Sequence, residues 1–178
     1  RRRALEGEVG PLWISADIQT AGRGRRGREW VSAKGNLFAT GLITLETKPA
    51  EAARLSFAVA VAVSDALEGL GLQAELKVKW PNDVLIEGRK VCGILLESGS
   101  LPQGGLWLGV GIGVNLAHHP EDQERPATNL KAQGLEVTPQ DALKAIAESF
   151  DVWLSRWKAH GFAPVRDAWL ARVHGLGE

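Results

Sequence analysis

The sequence predicts an α+β chain with a mixed, mainly antiparallel sheet and helices packed on one of its faces. Three observations carry this. Short apolar runs recur between residues 76 and 116, and their connectors are too short for crossover helices. Such connectors require antiparallel hairpins. Two longer runs keep a helical period and carry start and stop signals at their ends. The helices follow groups of strands and do not alternate with single ones, which is the order of an α+β architecture.

Each element has its own signal. "LWISADI" (Leu12 to Ile18) and "NLFATGLITL" (Asn36 to Leu45) read as strands, the second preceded by Gly35. Pro49 opens a helix expected to run to about Leu70 and stop at Gly71. Its polar stripe is thin (Arg54, Asp65, Glu68), which predicts burial on most sides. "ELKVKW", "DVLIE", "KVCGILLE" and "GLWLGVGIGVNL" are strands separated by Pro81-Asn82, by Glu87 to Arg89 and by Pro102 to Gly105. A loop containing "HHPEDQERP" follows. Thr138 caps the next helix, with Pro139 in its first turn and Asp141 at the capping-box position. Leu143, Ile146, Phe150, Trp153 and Trp157 fall on one face of it, and Gly161 ends it. A last short helix holds Val165, Ala168, Trp169 and Arg172.

Composition narrows the classes. The 178 residues carry 21 basic and 21 acidic side chains, a neutral balance that argues against a general polyanion binder. One cysteine, Cys92, excludes an internal disulfide framework and fits a reducing, cytoplasmic setting. No apolar run approaches the roughly 20 residues of a membrane span, so no membrane association is expected. The sequence opens on three arginines and contains no methionine, so flanking sequence is expected on either side.

Four motifs carry candidate chemistry. In "GRGRRGREW" (Gly22 to Trp30) four arginines are interleaved with three glycines. Glycines let successive amides point at one anion, and arginines supply planar, permanently charged forks for carboxylate or phosphate. A nucleic-acid patch, a phosphate cradle and a solvated loop are all open readings of this run alone. In "KVKWPND" (Lys77 to Asp83), Lys77 and Lys79 share one face of an extended segment and Val78 and Trp80 the other. Asn82 and Asp83 emerge at the turn after Pro81, either as a phosphate and Mg²⁺ kit or as an ordinary Asn-Asp turn.

In "GRKVCGILLES", Lys90 opens a strand whose interior glycine, Gly93, marks a bulge or a close approach. In "GVGIGVN", Gly109, Gly111 and Gly113 line one strand face, leaving a flat slot for a ring or a tight packing surface. No G-x-G-x-x-G or G-x-x-x-x-G-K-[ST] phosphate motif is present. His118-His119 lacks further metal ligands at suitable spacing. Cys92, mid-strand among apolar neighbours, reads as a buried structural thiol.

The order "QTAGRGRRGREW", "KWPND", "GRKVCGILLE", "GVGIGVN" resembles the catalytic domain of biotin protein ligases, directly over about Trp13 to Leu130. That resemblance implies a fold like class II aminoacyl-tRNA synthetases and biotin ligases. It implies activation of biotin with ATP and Mg²⁺ to biotinyl-5′-AMP, then transfer to a lysine of a biotin carboxyl carrier domain. Carried onto this sequence, the biotin site comprises Gln19, Gly22, Arg23, Gly24, Arg25, Lys90, Gly93, Gly111 and Gly113. The ATP site comprises Arg26, Arg28, Trp30 (near adenine), Lys79, Asn82, Asp83 and Asn115, with Asp83 as the Mg²⁺ ligand. Arg25, Lys90 and Lys79 are the catalytic cations.

The family's Ser/Thr-Thr-Asn stretch before the glutamine does not occur ahead of Leu12. Residues 1–178 are therefore expected to be the catalytic domain without that N-terminal flank and without the small C-terminal β-domain that many members carry. No helix-turn-helix is expected, and no DNA binding. Three rivals stand beside this reading. They are a lipoate or octanoate ligase on the same fold, an arginine-rich RNA-binding domain, and a biotin-binding domain without a complete catalytic cycle.

Overall fold

The structure, a computed structural model, describes residues 1–121 and 126–175; the middle of the "HHPEDQERP" loop and the last three residues lie outside them. The strands are β1 (Leu12–Ala16), β2 (Leu37–Leu45), β3 (Leu76–Lys79), β4 (Asp83–Ile86), β5 (Arg89–Ser100) and β6 (Leu106–Val114). They form one sheet in the order β1-β2-β6-β5-β4-β3. Every neighbouring pair is antiparallel. Among the described residues, parallel pairing is confined to two isolated bridges, Val78 with Val173 and Lys90 with Ala127.

The connectors explain the order. β4 turns into β5 through Glu87 and Gly88, whose φ values of 49° and 75° are both left-handed. Two such residues make the tight turn whose twist suits a hairpin. β5 turns into β6 through a loop closed by Leu101 N donating to Gly105 O at 3.1 Å.

The helices are α1 (Arg2–Leu5), α2 (Pro49–Ala53), α3 (Leu55–Gly69), α4 (Pro139–His160) and α5 (Ala163–Leu170). α3 is buried on nearly every side, as its thin polar stripe requires, because it touches the sheet on one flank and α4 and α5 on the other. Leu37, Ala39, Ile94, Val110, Ile112 and Val114 meet the helices in the main core. Thr138 caps α4, accepting from Asp141 N at 3.1 Å. Ile146, Phe150 and Trp153 are buried as predicted; Ala142 and Leu154 join them, while Leu143 and Trp157 are only half-buried at the margin. α3 ends in a Schellman motif: Gly71 takes φ 102°, and Leu72 N donates to Leu67 O at 3.1 Å.

Several boundaries differ from expectation. The run from Pro49 is two helices, not one. Bonding tightens to i→i+3 at Arg54, where Arg54 N donates to Glu51 O and Phe57 N to Arg54 O, both at 3.1 Å. The first strand stops at Ala16, and Ile18 is exposed. Trp80 does not pack beside Val78. β3 ends at Lys79 ahead of Pro81, and Trp80 is 68% exposed. Arg172 lies beyond α5, not in it. There it donates to Asp65 at 2.7 Å, and Trp153 Nε1 donates to the other oxygen of that carboxylate at 2.8 Å. This holds the segment after α5 against α3 and α4, where Arg172 O and His174 N bond the edge strand at Val78. α1 carried no sequence signal. No helix among the described residues is long and apolar enough to cross a membrane.

One buried polar side chain ties the sheet to the loop beyond it. Asn36, 3% exposed, accepts from the backbone N–H groups of Leu116, Ala117 and His118, each at 3.0 Å. It also donates to His118 O at 2.9 Å. Asn36→Ala leaves several buried groups without partners and should cost about 3 kcal/mol or more. Urea denaturation of the two proteins checks this, and a loss under about 1 kcal/mol would show that the loop finds other partners.

Candidate active site

Alternate residues of a strand share a face, so the register defines the surface opposite the helices. Three rows cross it. The first is Ala16, Phe38, Gly113, Gly93 and Asp83; the second Ile14, Thr40, Gly111 and Leu95; the third Leu12, Leu42, Gly109 and Glu97. The glycines of β6 fall in all three rows, and Gly93 of β5 sits directly opposite Gly113. Their missing side chains cut a trough down the middle of the sheet. Part of it opens into a cleft of about 720 Å³.

The arginine run closes over this trough. Residues 22–30 fold back as a small hairpin: Trp30 N donates to Gly22 O at 3.0 Å and Gly24 N to Arg28 O at 2.7 Å. Its tip, Arg25 to Gly27, carries Arg26 at φ 58° and ψ 32° and Gly27 at φ 72°. A non-glycine residue held in that left-handed region costs about 1–3 kcal/mol. Ser32 Oγ lies 3.1 Å from both Gln19 Oε1 and Trp30 O, shares its one proton between these two acceptors, and so links Gln19 to the base of the loop. Ser32 belongs to none of the four sequence motifs. Arg23, Arg25, Arg26 and Arg28 all line the cleft and have no ion-pair partner among the described residues.

The far wall is lysine and amide. Lys79 is exposed at the end of β3, opposite Asp83 of β4. Asp83, only 6% exposed, pairs with Lys90 Nζ at 2.7 Å. Lys90 Nζ also lies 5.2 Å from the centre of the Trp30 ring, within cation–π range. Asn82 is stitched to β5, donating from Nδ2 to Ile94 O at 2.7 Å while its own carbonyl accepts from Ile94 N. Asn115 is buried and donates to Thr128 O at 3.1 Å. Residues 126–128 run beside the start of β5: Lys90 N donates to Pro126 O, and Thr128 N to Lys90 O, both at 2.9 Å. This second wall had no motif to reveal it.

Of the candidate residues, Gln19, Arg23, Gly24, Arg25, Arg26, Arg28, Trp30, Lys79, Asn82, Asp83, Lys90, Gly93, Gly111, Gly113 and Asn115 line this one cleft. Gly22 lies at the base of the hairpin, where its carbonyl holds Trp30. The indole of Trp30 rests on Gly93 and Gly113. No group of three or more His, Cys, Asp or Glu side chains converges among the described residues. His119 Nδ1 is instead 2.7 Å from Asn129 Nδ2.

Beneath the floor, burial pushes the Cys92 thiol up; the Lys90 charge pulls it down and Asp83 adds to the rise. The thiol therefore stays protonated at neutral pH and is no nucleophile. A maleimide should label Cys92 only as fast as the protein unfolds. Immediate labelling of folded protein would show that the strand opens.

Comparison with known proteins places the chain. Residues 7–116 match the biotin/lipoate A/B protein ligase family. The chain is 46% identical to the biotin–[acetyl-CoA-carboxylase] ligase of Paracoccus denitrificans, over 97% of this chain and 75% of that one. Among solved structures it superposes on a biotin protein ligase from Aquifex aeolicus in complex with biotin and ATP. That match has a TM-score of 0.81 and 30% identity, over 99% of this chain and 75% of that one. A biotin protein ligase from Leishmania major in complex with biotinyl-5-AMP gives 0.79 and 28%, over 97% and 76%.

Proposed function

The chain belongs to the biotin/lipoate A/B protein ligase family, and on that premise we propose that it is an ATP-dependent biotin protein ligase. It activates biotin with MgATP and passes the biotinyl group to a lysine of a biotin carboxyl carrier domain. One observation carries the reading: four arginines without ion-pair partners among the described residues hang over a glycine-floored trough, facing Lys79 and Lys90. The trough would take a small fused ring with a polar ureido edge, and the arginines its carboxylate tail. A triphosphate fits the cations.

The chemistry needs two anions brought together. A carboxylate oxygen of biotin attacks the α-phosphorus, a new P–O bond forms, and the bond to the β-phosphate oxygen breaks to release pyrophosphate. The lysine amine of the carrier then attacks the acyl carbon, AMP leaves with the anhydride oxygen, and the amine proton goes to solvent. No enzyme nucleophile takes part, so the protein's contribution is position and charge.

Arg23, Gly24 and Arg25 serve the biotin end and its carboxylate, with Gln19 beside them. Arg26, Arg28 and Lys79 serve the nucleotide. Lys90 stands between the two, its ammonium held by Asp83. Asn82 keeps the turn fixed to β5, and Asn115 keeps residues 126–128 in place. Mg²⁺ would enter with ATP and offset phosphate charge, and Asp83, in the cleft wall, is the carboxylate that would hold it. The loop shields the mixed anhydride from water.

The names of the relatives favour biotin over lipoate, and the neutral net charge weighs against an RNA-binding module. The acceptor is a carboxylase subunit that carries biotin, and the setting is the cytoplasm.

Calorimetric titration with biotin, followed by a pyrophosphate assay with biotin and MgATP, tests the reading. Binding with pyrophosphate release is the expected result. Release with lipoate but not biotin would overturn it. Arg25→Ala removes one charge-assisted contact, worth about 1.5–3 kcal/mol, or roughly 10- to 150-fold in pyrophosphate release. Lys90→Ala should lose at least as much, because it also strands the buried Asp83 carboxylate. Normal release by Lys90→Ala would remove Lys90 from the catalytic group.

A further inference from the structure

The glycine trough is not uniformly open. A methyl group built on Gly113 would lie 2.6 Å from Trp30 Cε2 and 2.7 Å from its Nε1. One built on Gly93 would lie 2.6 Å from Trp30 Cζ3. The indole therefore lies against the bare backbone of this cross-strand pair. Gly111 and Gly109, further along the same stripe, have no Trp30 atom among their near neighbours. Two glycines thus seat a tryptophan, and two leave the trough open. Trp30 is also the last residue of the arginine hairpin, bonded through its N–H to Gly22 O. Whatever fixes the indole fixes the ends of a loop that is otherwise held mainly by its own backbone.

The seat has a built-in weakness. Trp30 Nε1 is buried and has no hydrogen-bond partner among the described residues. A buried donor left unpaired opposes its own burial, and it is paired again by water when the loop lifts. The area covered by the ring and the charge of Lys90 at 5.2 Å favour closure.

We infer that Trp30 is a releasable latch: its indole, seated on Gly93 and Gly113, holds the arginine hairpin across the cleft and so positions Arg23, Arg25, Arg26 and Arg28. Trp30 is thus a positioning residue. Its purpose rests on the function proposed above, but its existence does not.

The hairpin supplies its own reporter, because trypsin cuts after arginine. The protein is digested alone, without biotin or ATP, and the first cut is mapped by mass spectrometry. Trp30→Ala and Gly113→Ala should each speed cutting within residues 23–28 by about tenfold or more, the effect of losing roughly 1.4 kcal/mol of closure. Trp30→Phe keeps a ring and removes the unpaired N–H, so it should be cut no faster than the parent protein. Gly109→Ala adds the same methyl where no indole sits and should leave the rate unchanged.

The latch is overturned if Trp30→Ala is cut at the parent rate, or if Trp30→Phe is cut as fast as Trp30→Ala. It is also overturned if Gly109→Ala matches Gly113→Ala. Should Gly113→Ala fail to fold, the two Trp30 variants decide the matter. No substrate is present, so failure of the biotin reading leaves this result standing.

Discussion

Everything at the site depends on β6 being bare on one face and meeting a bare position of β5 at Gly93. β5 and β6 place Gly93 against Gly113 and bring Gly111 and Gly109 into line. On the opposite face Val110, Ile112, Val114 and Ile94 are fully buried under the helices. A strand cannot separate these two duties except by alternation. One glycine moved by one position would put a void in the core and a side chain in the trough. The core and the site are therefore two readings of one sequence pattern. The main core lies on the helix side, and a small second cluster of Ala4, Leu42, Leu101 and Trp107 packs the other face beside the trough.

On this floor the charges divide into held and unheld. Lys90 is held by Asp83, and Asp83 by its place in β4 beside Gly93. The loop arginines and Lys79 have no ion-pair partners among the described residues. Unpaired cations gathered over one cleft repel one another, which favours the arrival of an anion and an open loop before it. The indole seated on the floor works against that repulsion. The site thus balances a loop that its charges push away and its tryptophan pulls in.

The supports are polar and local. Asn36 gathers three successive N–H groups at the end of β6, and Asn82 and Asn115 bond backbone on either side of the cleft. Each uses an amide where a hydrophobic contact could not satisfy the chain leaving a strand. Of the motif "WPND", the asparagine serves first to hold the frame, and the aspartate first to hold a lysine. Either role is compatible with a ligand beside it, but neither was visible in the order of residues.

Features that depend on near neighbours are legible in the order of residues. The short connectors required antiparallel strands, Thr138 and Gly161 bounded α4, and the spacing of Gly109, Gly111 and Gly113 put them on one face. The arginine-glycine run by itself left three readings open, and its company in the chain pointed to a family. The rest came from the built fold, because most of the remaining features join residues that meet only once strands and turns are in place. Nothing in positions 30, 93 and 113 says that an indole lies on two glycines. The pairing of Asp83 with Lys90 needs the tight turn at Glu87-Gly88 to be built. The bond of Asn36 to residues 116–118 spans the domain. Trp80 shares the face of Val78 by alternation but is exposed, because the strand stops one residue earlier than the pattern does. Local chemistry chooses elements and motifs, whereas distances across the sheet choose which motifs meet.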